Sequence, residues 1–174
     1  MKTSNIPNHG QSNKVKVLSP WLAYPLALIV WEVLPWAISL LTSRHGWTAG
    51  HPGFWNLIGL ILVPVGTAGL IWGLQLHSAQ SPAGIEMELD KSYLLKRGPY
   101  VFSRHPMYLA ELTLLLGWVI FYGSVAVLIA FVIWWLFFNF YAMPVEERTL
   151  ESHFGEAYRE YKQQVSRWFG RIRR

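Results

Sequence analysis

The sequence predicts an all-α integral membrane protein: a helical bundle of four transmembrane helices with a C-terminal helical hairpin and an amphipathic tail helix. Hydrophobic residues make up 52% of the 174-residue chain and charged residues only 14%, whereas an ordinary soluble domain carries about 25% charged residues. The apolar residues form long uninterrupted runs, and the basic residues are concentrated between alternate runs. Together these observations favour a bilayer over a soluble core.

The apolar runs set the predicted spans, since a helix needs about 20 residues to cross the hydrocarbon core. The predicted spans are about 21–42, 54–76, 107–121 and 124–142. Pro25 and Pro35 predict kinks in the first span. In the second span, small residues predict close packing against another helix; they are Gly59, Gly66, Gly69 and Gly73.

The apolar block from 106 to 145 is too long for one span, and Gly123 and Ser124 near its middle predict the turn of a helical hairpin. Beyond it, apolar residues recur at three- and four-residue spacing among charges, which predicts an amphipathic tail helix over about 146–168. Residues 1–19 are polar and basic and predict a disordered leader. Residues 20–174 then form a single membrane domain.

The distribution of Lys and Arg predicts the topology. Of the 15 basic residues, all except Arg44 fall in the leader, in the long loop between the second and third spans, or in the tail. With four spans these segments lie on one side, and the positive-inside rule makes that side the cytoplasm. The same placement assigns the net charge of +5 to a membrane surface and not to nucleic acid.

Basic, aromatic and acidic residues flank the predicted hairpin. Arg104, His105 and Tyr108 enter it, and Glu146 and Glu147 leave it. Because a hairpin returns the chain to the side from which it started, we expect these five side chains to lie close together. Such a cluster suits a zwitterionic ligand with a flat ring, since carboxylates accept from ammonium or hydroxyl groups, Arg and His bind carboxylates, and tyrosines stack.

The order of these short patterns resembles a known family. Gly98-Pro99-Tyr100, Arg104-His105-Pro106-Met107-Tyr108, Glu146-Glu147 and Phe154-Gly155-Glu156-Ala157-Tyr158 are similar to the isoprenylcysteine carboxyl methyltransferases and to their relatives, the phospholipid methyltransferases. The resemblance implies a membrane methyltransferase that uses S-adenosylmethionine, with a lipophilic acceptor drawn from the bilayer. It implies no metal.

The resemblance also implies a cofactor pocket made by the loop before the hairpin, the His-Pro-x-Tyr turn and the glutamates after it. By position the cofactor-binding residues are Tyr93, Leu94, Leu95, Tyr100, Arg104, His105, Pro106, Met107, Tyr108, Glu146 and Glu147. No catalytic residue is assigned.

Two positions depart from the prenylcysteine pattern. Ala142 stands where those enzymes have an arginine, and Ala110, followed by Glu111, stands where many have glycine. The resemblance therefore implies the cofactor and the reaction type but not the acceptor. The acceptor stays open among a carboxylate, an amine and a thiol. Glu111 is the candidate acceptor-binding residue, because an acid within a span costs about 2.5–3.5 kcal/mol and usually faces a wet cavity. The same cost predicts an interior partner for Glu32.

Plainer interpretations stand beside these. Arg104 and His105 are also typical of interfacial anchors, and Glu146 and Glu147 of a first helical turn, where acids are stabilising. The alternative function is a non-enzymatic membrane protein, either a small transporter or an assembly factor. Four spans are few for a transporter, and no broken-helix repeat is visible in the sequence.

Overall fold

The computed structural model describes residues 17–18, 26, 29–80, 85–86 and 93–170. The helices in this part are α1 (Leu34–Ser39), α2 (Phe54–Leu57), α3 (Gly59–Ser78), α4 (Pro106–Tyr122), α5 (Val125–Phe137), α6 (Met143–Phe154) and α7 (Glu156–Gln164). π-Helical turns occupy Ile29–Val33 and Phe138–Ala142, and Gly98–Val101 form a 3-10 helix. Two antiparallel pairs of two-residue strands complete the fold: β1 (Val17–Leu18) with β4 (Ile85–Glu86), and β2 (Trp47–Thr48) with β3 (His51–Pro52).

The helical composition and long apolar helices confirm an all-α membrane fold. Two stretches are long and apolar enough to cross a bilayer, Phe54–Ser78 with 25 residues and Val125–Phe154 with 30. Only 17% and 11% of their most apolar windows are buried, as expected where lipid covers the surface. Helix α4 has 17 residues, at the lower limit of about 17–25 for a span. The remainder of the predicted first span, about 21–28, lies almost wholly outside the described residues, so the count of four spans stays a prediction.

The predicted hairpin is confirmed, with α4 and α5 joined at Gly123 and Ser124. Gly123 adopts a φ of +56°, a left-handed conformation that costs glycine little. A side chain there would also collide with the His45 carbonyl. Ser124 caps α5 by accepting a hydrogen bond from the Val127 amide, so both turn residues act locally as the sequence suggested.

The glycines of the second span allow α3 to pack closely against α4, as predicted. A Cβ added at Gly66 would lie 2.6 Å from both the Cβ and the backbone nitrogen of Leu114. One added at Gly73 would lie 2.6 Å from Met107 Cγ. Only glycine leaves room for this approach, and the contact holds the start of α4 beside the C-terminal end of α3.

The predicted single tail helix over 146–168 is wrong. Helix α6 continues from α5 through the π-helical turn Phe138–Ala142, because Pro144 has no N–H for a regular bond and a wider turn accommodates it. The helix then stops at Gly155, whose φ of +51° favours glycine. Helix α7 follows and ends before the extended residue Val165. Glu146 and Glu147 therefore lie within a long continuous helix and not at the start of a separate one.

The N-terminal part is described only in pieces. Val17–Leu18, which the sequence placed in the leader, form strand β1, while residues 1–16 lie outside the described part. Pro35 lies in the first turn of α1, directly after the π-helical turn, a position that proline tolerates, and the kink there stays a prediction. Pro25 lies outside the described residues. Glu32 is half-buried and pairs with the Thr67 side chain of α3, which supplies the interior partner expected for it.

Candidate cofactor site

Two glutamates leaving the hairpin bracket the histidine that enters it. His105 Nδ1 lies 3.3 Å from Glu146 Oε2, and His105 Nε2 lies 3.1 Å from Glu147 Oε1. An ionised carboxylate only accepts hydrogen bonds, so two flanking carboxylates require N–H groups on both ring nitrogens. Burial opposes the charge, but the bonds to Glu146 and Glu147 outweigh it and raise the pKa of His105. The convergence predicted from the hairpin is confirmed, and the two carboxylates favour the protonated form of the His105 ring.

Cationic side chains surround the Glu147 carboxylate. Its Oε1 lies 3.3 Å from Arg104 Nη1, and Arg167 donates two bonds, Nε to Oε1 at 3.0 Å and Nη2 to Oε2 at 2.9 Å. About 20 residues of a helix cross the hydrocarbon, so a span starting at Val125 ends before Glu147. Burial raises the pKa of Glu147, but the bonds from His105 and Arg167 and the charge of Arg104 outweigh it and lower the pKa to about 2.

An aromatic stack fixes the His105 ring from one face. The Tyr108 ring lies 5.5 Å from it at an angle of 20°, and Phe138 lies 4.5 Å beyond Tyr108 at 24°. The Tyr108 side chain also hydrogen-bonds Glu146. Two elements thus hold the His105 ring. The start of α4 supplies His105 and Tyr108, and the α5–α6 helix supplies the Phe138 ring and the carboxylates of Glu146 and Glu147.

A narrow cavity opens beside this cluster. Four tyrosines and three leucines line much of its wall, with one arginine, one histidine and one glutamate among them. Its lining residues are His77, Tyr93, Leu94, Leu95, Tyr100, Arg104, Glu146, Leu150, Tyr158 and Tyr161. The cavity therefore combines apolar walls with one cationic and one anionic side chain.

Two buried polar atoms of this wall have no hydrogen bond to any residue that the structure describes. The Tyr158 hydroxyl lies beside the Arg104 guanidinium. Within the described residues, however, neither Tyr158 Oη nor Arg104 Nε completes a hydrogen bond, although both are buried. Buried polar groups without partners are costly, so the wall offers a donor and a phenol to a bound polar group. Burial, reinforced by Glu146, raises the pKa of Tyr100, which keeps that hydroxyl protonated.

The remaining residues implied by the resemblance lie around the cavity without lining it. His105, Tyr108 and Glu147 support Glu146 and Arg104 from behind, as described above. Pro106 instead lines a second, apolar groove, and Met107 packs against Gly73 of α3. Glu111 is half-buried in α4 and lines neither the cavity nor that groove.

Comparison with known proteins adds a family to this geometry. The phospholipid methyltransferase family model matches residues 55–157, which is more than half of the chain. The chain belongs to the phospholipid methyltransferase family. A protein from Haemophilus influenzae, described only as uncharacterized, is 42% identical over 62 residues, which cover 36% of this chain and 98% of that protein.

The phospholipid methyltransferase match ends just before two residues of the cavity wall, Tyr158 and Tyr161. The sequence placed Leu150, Tyr158 and Tyr161 on the apolar face of the predicted tail helix but not at the site, and it gave no role to His77. One signal was available: Tyr158 closes the Phe-Gly-x-x-Tyr pattern, and Tyr161 follows one helical turn later. His77, at the end of α3, carried no comparable signal.

A second, apolar groove, wider than the cavity, runs between α3 and α4 in this membrane methyltransferase. The 3-10 turn and the residues after it separate the groove from the cavity, with Tyr100 and Arg104 on the cavity side and Pro99 and Phe102 on the groove side. Phe102 and Phe169 line the groove and are 65% and 73% exposed. One short segment of chain therefore contributes to both spaces.

Proposed function

We propose that this protein is an S-adenosylmethionine-dependent methyltransferase that transfers a methyl group to a lipophilic acceptor taken from the bilayer. The observation that carries the proposal is the cavity at the mouth of the hairpin, where one carboxylate, one guanidinium and several tyrosines meet apolar walls. This combination matches a ligand with an ammonium, a carboxylate and a flat ring, and the family supplies the reaction type.

The residues of the cavity fit such a cofactor group by group. Glu146 is suited to receive an ammonium or ribose hydroxyl, and the buried Arg104 Nε, which completes no hydrogen bond among the described residues, to receive a carboxylate. Tyr93, Tyr100 and the neighbouring leucines offer flat and apolar surface to an adenine ring.

The work left to the protein is alignment and exclusion of water. When bound, S-adenosylmethionine supplies a methyl group already activated by its sulfonium. Donor and acceptor must then be held in line, and positioning of this kind accounts for much of the acceleration in bimolecular reactions. His105 holds the Glu146 carboxylate at 3.3 Å, and Leu95 and Leu150 are buried, which keeps the wall apolar.

The apolar groove supports a lipophilic acceptor, since it is lined almost wholly by apolar atoms. A prenylcysteine carboxylate is the wrong acceptor in this proposal, because Ala142 supplies no cation. Arg104 is a poor substitute, since Glu147 already engages it at 3.3 Å. Glu111 lines neither the cavity nor the groove, so the preference for a lipid amine over a carboxylate rests on the missing cation at Ala142.

The proposed orientation sets both termini and the cavity on the cytoplasmic side. It rests on the 15 basic residues, of which only Arg44 lies in a segment assigned to the opposite side. In this arrangement the water-soluble cofactor enters from the cytoplasm and the acceptor enters laterally from the membrane. The proposed partners are thus a lipid acceptor and the bilayer itself.

Calorimetry with S-adenosylhomocysteine, on the full chain in detergent, tests the cofactor. Saturable binding at a single site is expected. Absence of binding by folded protein would contradict the proposal and favour the non-enzymatic alternative.

Labelled S-adenosylmethionine tests the acceptor when offered with a farnesylcysteine analogue or with an aminophospholipid. Transfer to the aminophospholipid and not to the farnesylcysteine analogue is expected. Efficient methylation of the farnesylcysteine analogue would overturn the assignment drawn from Ala142.

A further inference from the structure

His77 joins the end of α3 to two tyrosines of the cavity wall. Its side chain is buried, Nδ1 lies 2.7 Å from Tyr93 Oη, and Nε2 lies 2.8 Å from Tyr100 Oη. The ring centroids lie 5.6 Å and 5.9 Å from the histidine ring, at angles of 49° and 85°. One imidazole therefore holds the hydroxyls of two residues that lie seven positions apart in the loop.

Tyr100 is fixed at both ends as a result. Its hydroxyl bonds His77, while its backbone carbonyl accepts a 2.7 Å hydrogen bond from the Tyr161 hydroxyl of α7. Since Tyr93, Tyr100 and Tyr161 all line the cavity, His77 and Tyr161 together define where the Tyr100 ring stands in the wall.

The bonding pattern is specific to histidine. A neutral imidazole has one donor and one acceptor nitrogen, so one tyrosine hydroxyl accepts from His77 and the other donates to it. Phenylalanine fills the same volume but can do neither. At this position, the side-chain nitrogen of asparagine would lie near the place of the histidine Nδ1, and that of glutamine near the place of Nε2.

We infer that His77 is a positioning residue of the cofactor pocket, which sets the Tyr93 and Tyr100 rings for ligand binding and acts through them. The inference rests on the proposed S-adenosylmethionine site. His77 lies about 30 residues before the His-Pro-x-Tyr turn, on another helix, and the predicted cofactor residues do not include it.

A purely structural role for His77 predicts a different result from a positioning role. If His77 only stabilised the fold, ligand affinity would follow overall stability in every variant. If it orients the pocket, affinity depends on which tyrosine keeps its bond. A matched control is available at the opposite end of α2 and α3. There the buried Asn56 Nδ2 donates to the carbonyls of His45, Ile120 and Phe121 at 3.1, 3.0 and 3.0 Å.

The experiment measures S-adenosylhomocysteine affinity and thermal midpoint for the full chain and its variants in detergent. His77→Phe should weaken binding about tenfold, the effect of roughly one lost hydrogen bond. His77→Gln, which can still reach Tyr100, should remain within about threefold of the unaltered protein, and His77→Asn should be rescued less, because Tyr100 is the more buried tyrosine. Asn56→Leu should lower the midpoint and leave the affinity unchanged.

Equal affinity of His77→Phe and the unaltered protein would overturn the inference, as would the absence of rescue by His77→Gln. Affinities that follow the midpoints in all variants, Asn56→Leu included, would reduce His77 to a structural role. Failure of the unaltered protein to bind is a separate result, which refutes the cofactor site itself and the inference with it.

If His77→Phe does not fold, a double-mutant cycle with Tyr100 tests the same inference. In a Tyr100→Phe background, His77→Asn should cause no further loss of affinity, because the hydroxyl it fails to hold is already absent. A full additional loss in that background would overturn the inference.

Discussion

Neutralising Glu147 tests the electrostatics of the site with one substitution that preserves shape. Glu147→Gln removes the charge that faces Arg104, His105 and Arg167 while retaining one oxygen acceptor. The pKa of Glu147 is about 2 against an ordinary 4.5, and each unit corresponds to about 1.4 kcal/mol. The charge interaction is therefore worth about 3 kcal/mol, an upper value because Arg167 is one-third exposed and partly screened by solvent.

The pH dependence has a definite sign. Glu147 has a lowered folded pKa, so its contribution is present above the ordinary value of 4.5 and is lost as pH falls toward about 2. His105 has a raised folded pKa, so its contribution is complete below 6.5 and is lost as pH rises through the folded value. The network stabilises the fold most between about pH 4.5 and 6.5.

Thermal unfolding in detergent, followed by circular dichroism from pH 3 to 7, measures the effect. Near pH 6 the Glu147→Gln midpoint should lie roughly 5–10 °C below that of the unaltered protein, and the gap should shrink as pH approaches 3. Glu151→Gln, one turn along α6, is the matched control: its bonds to Arg159 and Lys162 are at the surface, where ion pairs contribute little. A gap of the same size at pH 3 and pH 6, or no gap at either, would refute the reasoning.

Three further predictions test the site, the helix contact and the topology. His105→Ala and Glu146→Ala should each weaken S-adenosylhomocysteine binding by about 1.5–3 kcal/mol in calorimetry, with helicity retained; unchanged affinity in both would locate the pocket elsewhere. Gly66→Ala should destabilise by about 1–3 kcal/mol in thermal unfolding, because its Cβ meets backbone, and Gly69→Ala, which meets only a side-chain methyl within 3 Å, should cost less. Reporters fused at residue 48 and at the C-terminus should report opposite sides of the membrane, and matching sides would exclude the predicted topology.

The sequence alone predicted the features that depend on local chemistry. The uninterrupted apolar run and the Gly123-Ser124 pair predicted the hairpin. A turn needs residues that can adopt its backbone conformation, whereas a span needs only length and apolarity. The contact of His105 with Glu146 and Glu147 followed directly, since a hairpin returns its two ends to one place. The glycines of α3 predicted close packing because they lack side chains, although the sequence did not name α4 as the partner.

The tail shows where periodicity misleads. Apolar residues at three- and four-residue spacing run across Gly155 and predicted one helix, yet the backbone reverses to a φ of +51° there. The extended segment after α7 is held by contacts distant in sequence. The Arg104 amide donates to the Ser166 carbonyl at 3.1 Å, and the Gly170 amide to Phe102 at 2.7 Å. Such bonds end a helix for reasons that its own residues do not contain.

Tertiary structure decided which residues of the motif face the cavity. Successive residues of a helix point about 100° apart, so neighbours at the start of α4 cannot share one surface. Pro106 faces the apolar groove, Met107 packs on α3, and Tyr108 stacks between His105 and Phe138. The sequence determined that these residue types meet at the hairpin mouth. Only the packing of α3 and α7 against that mouth could bring His77 and Tyr161 into the wall, because their positions depend on how separate elements dock and not on any local pattern.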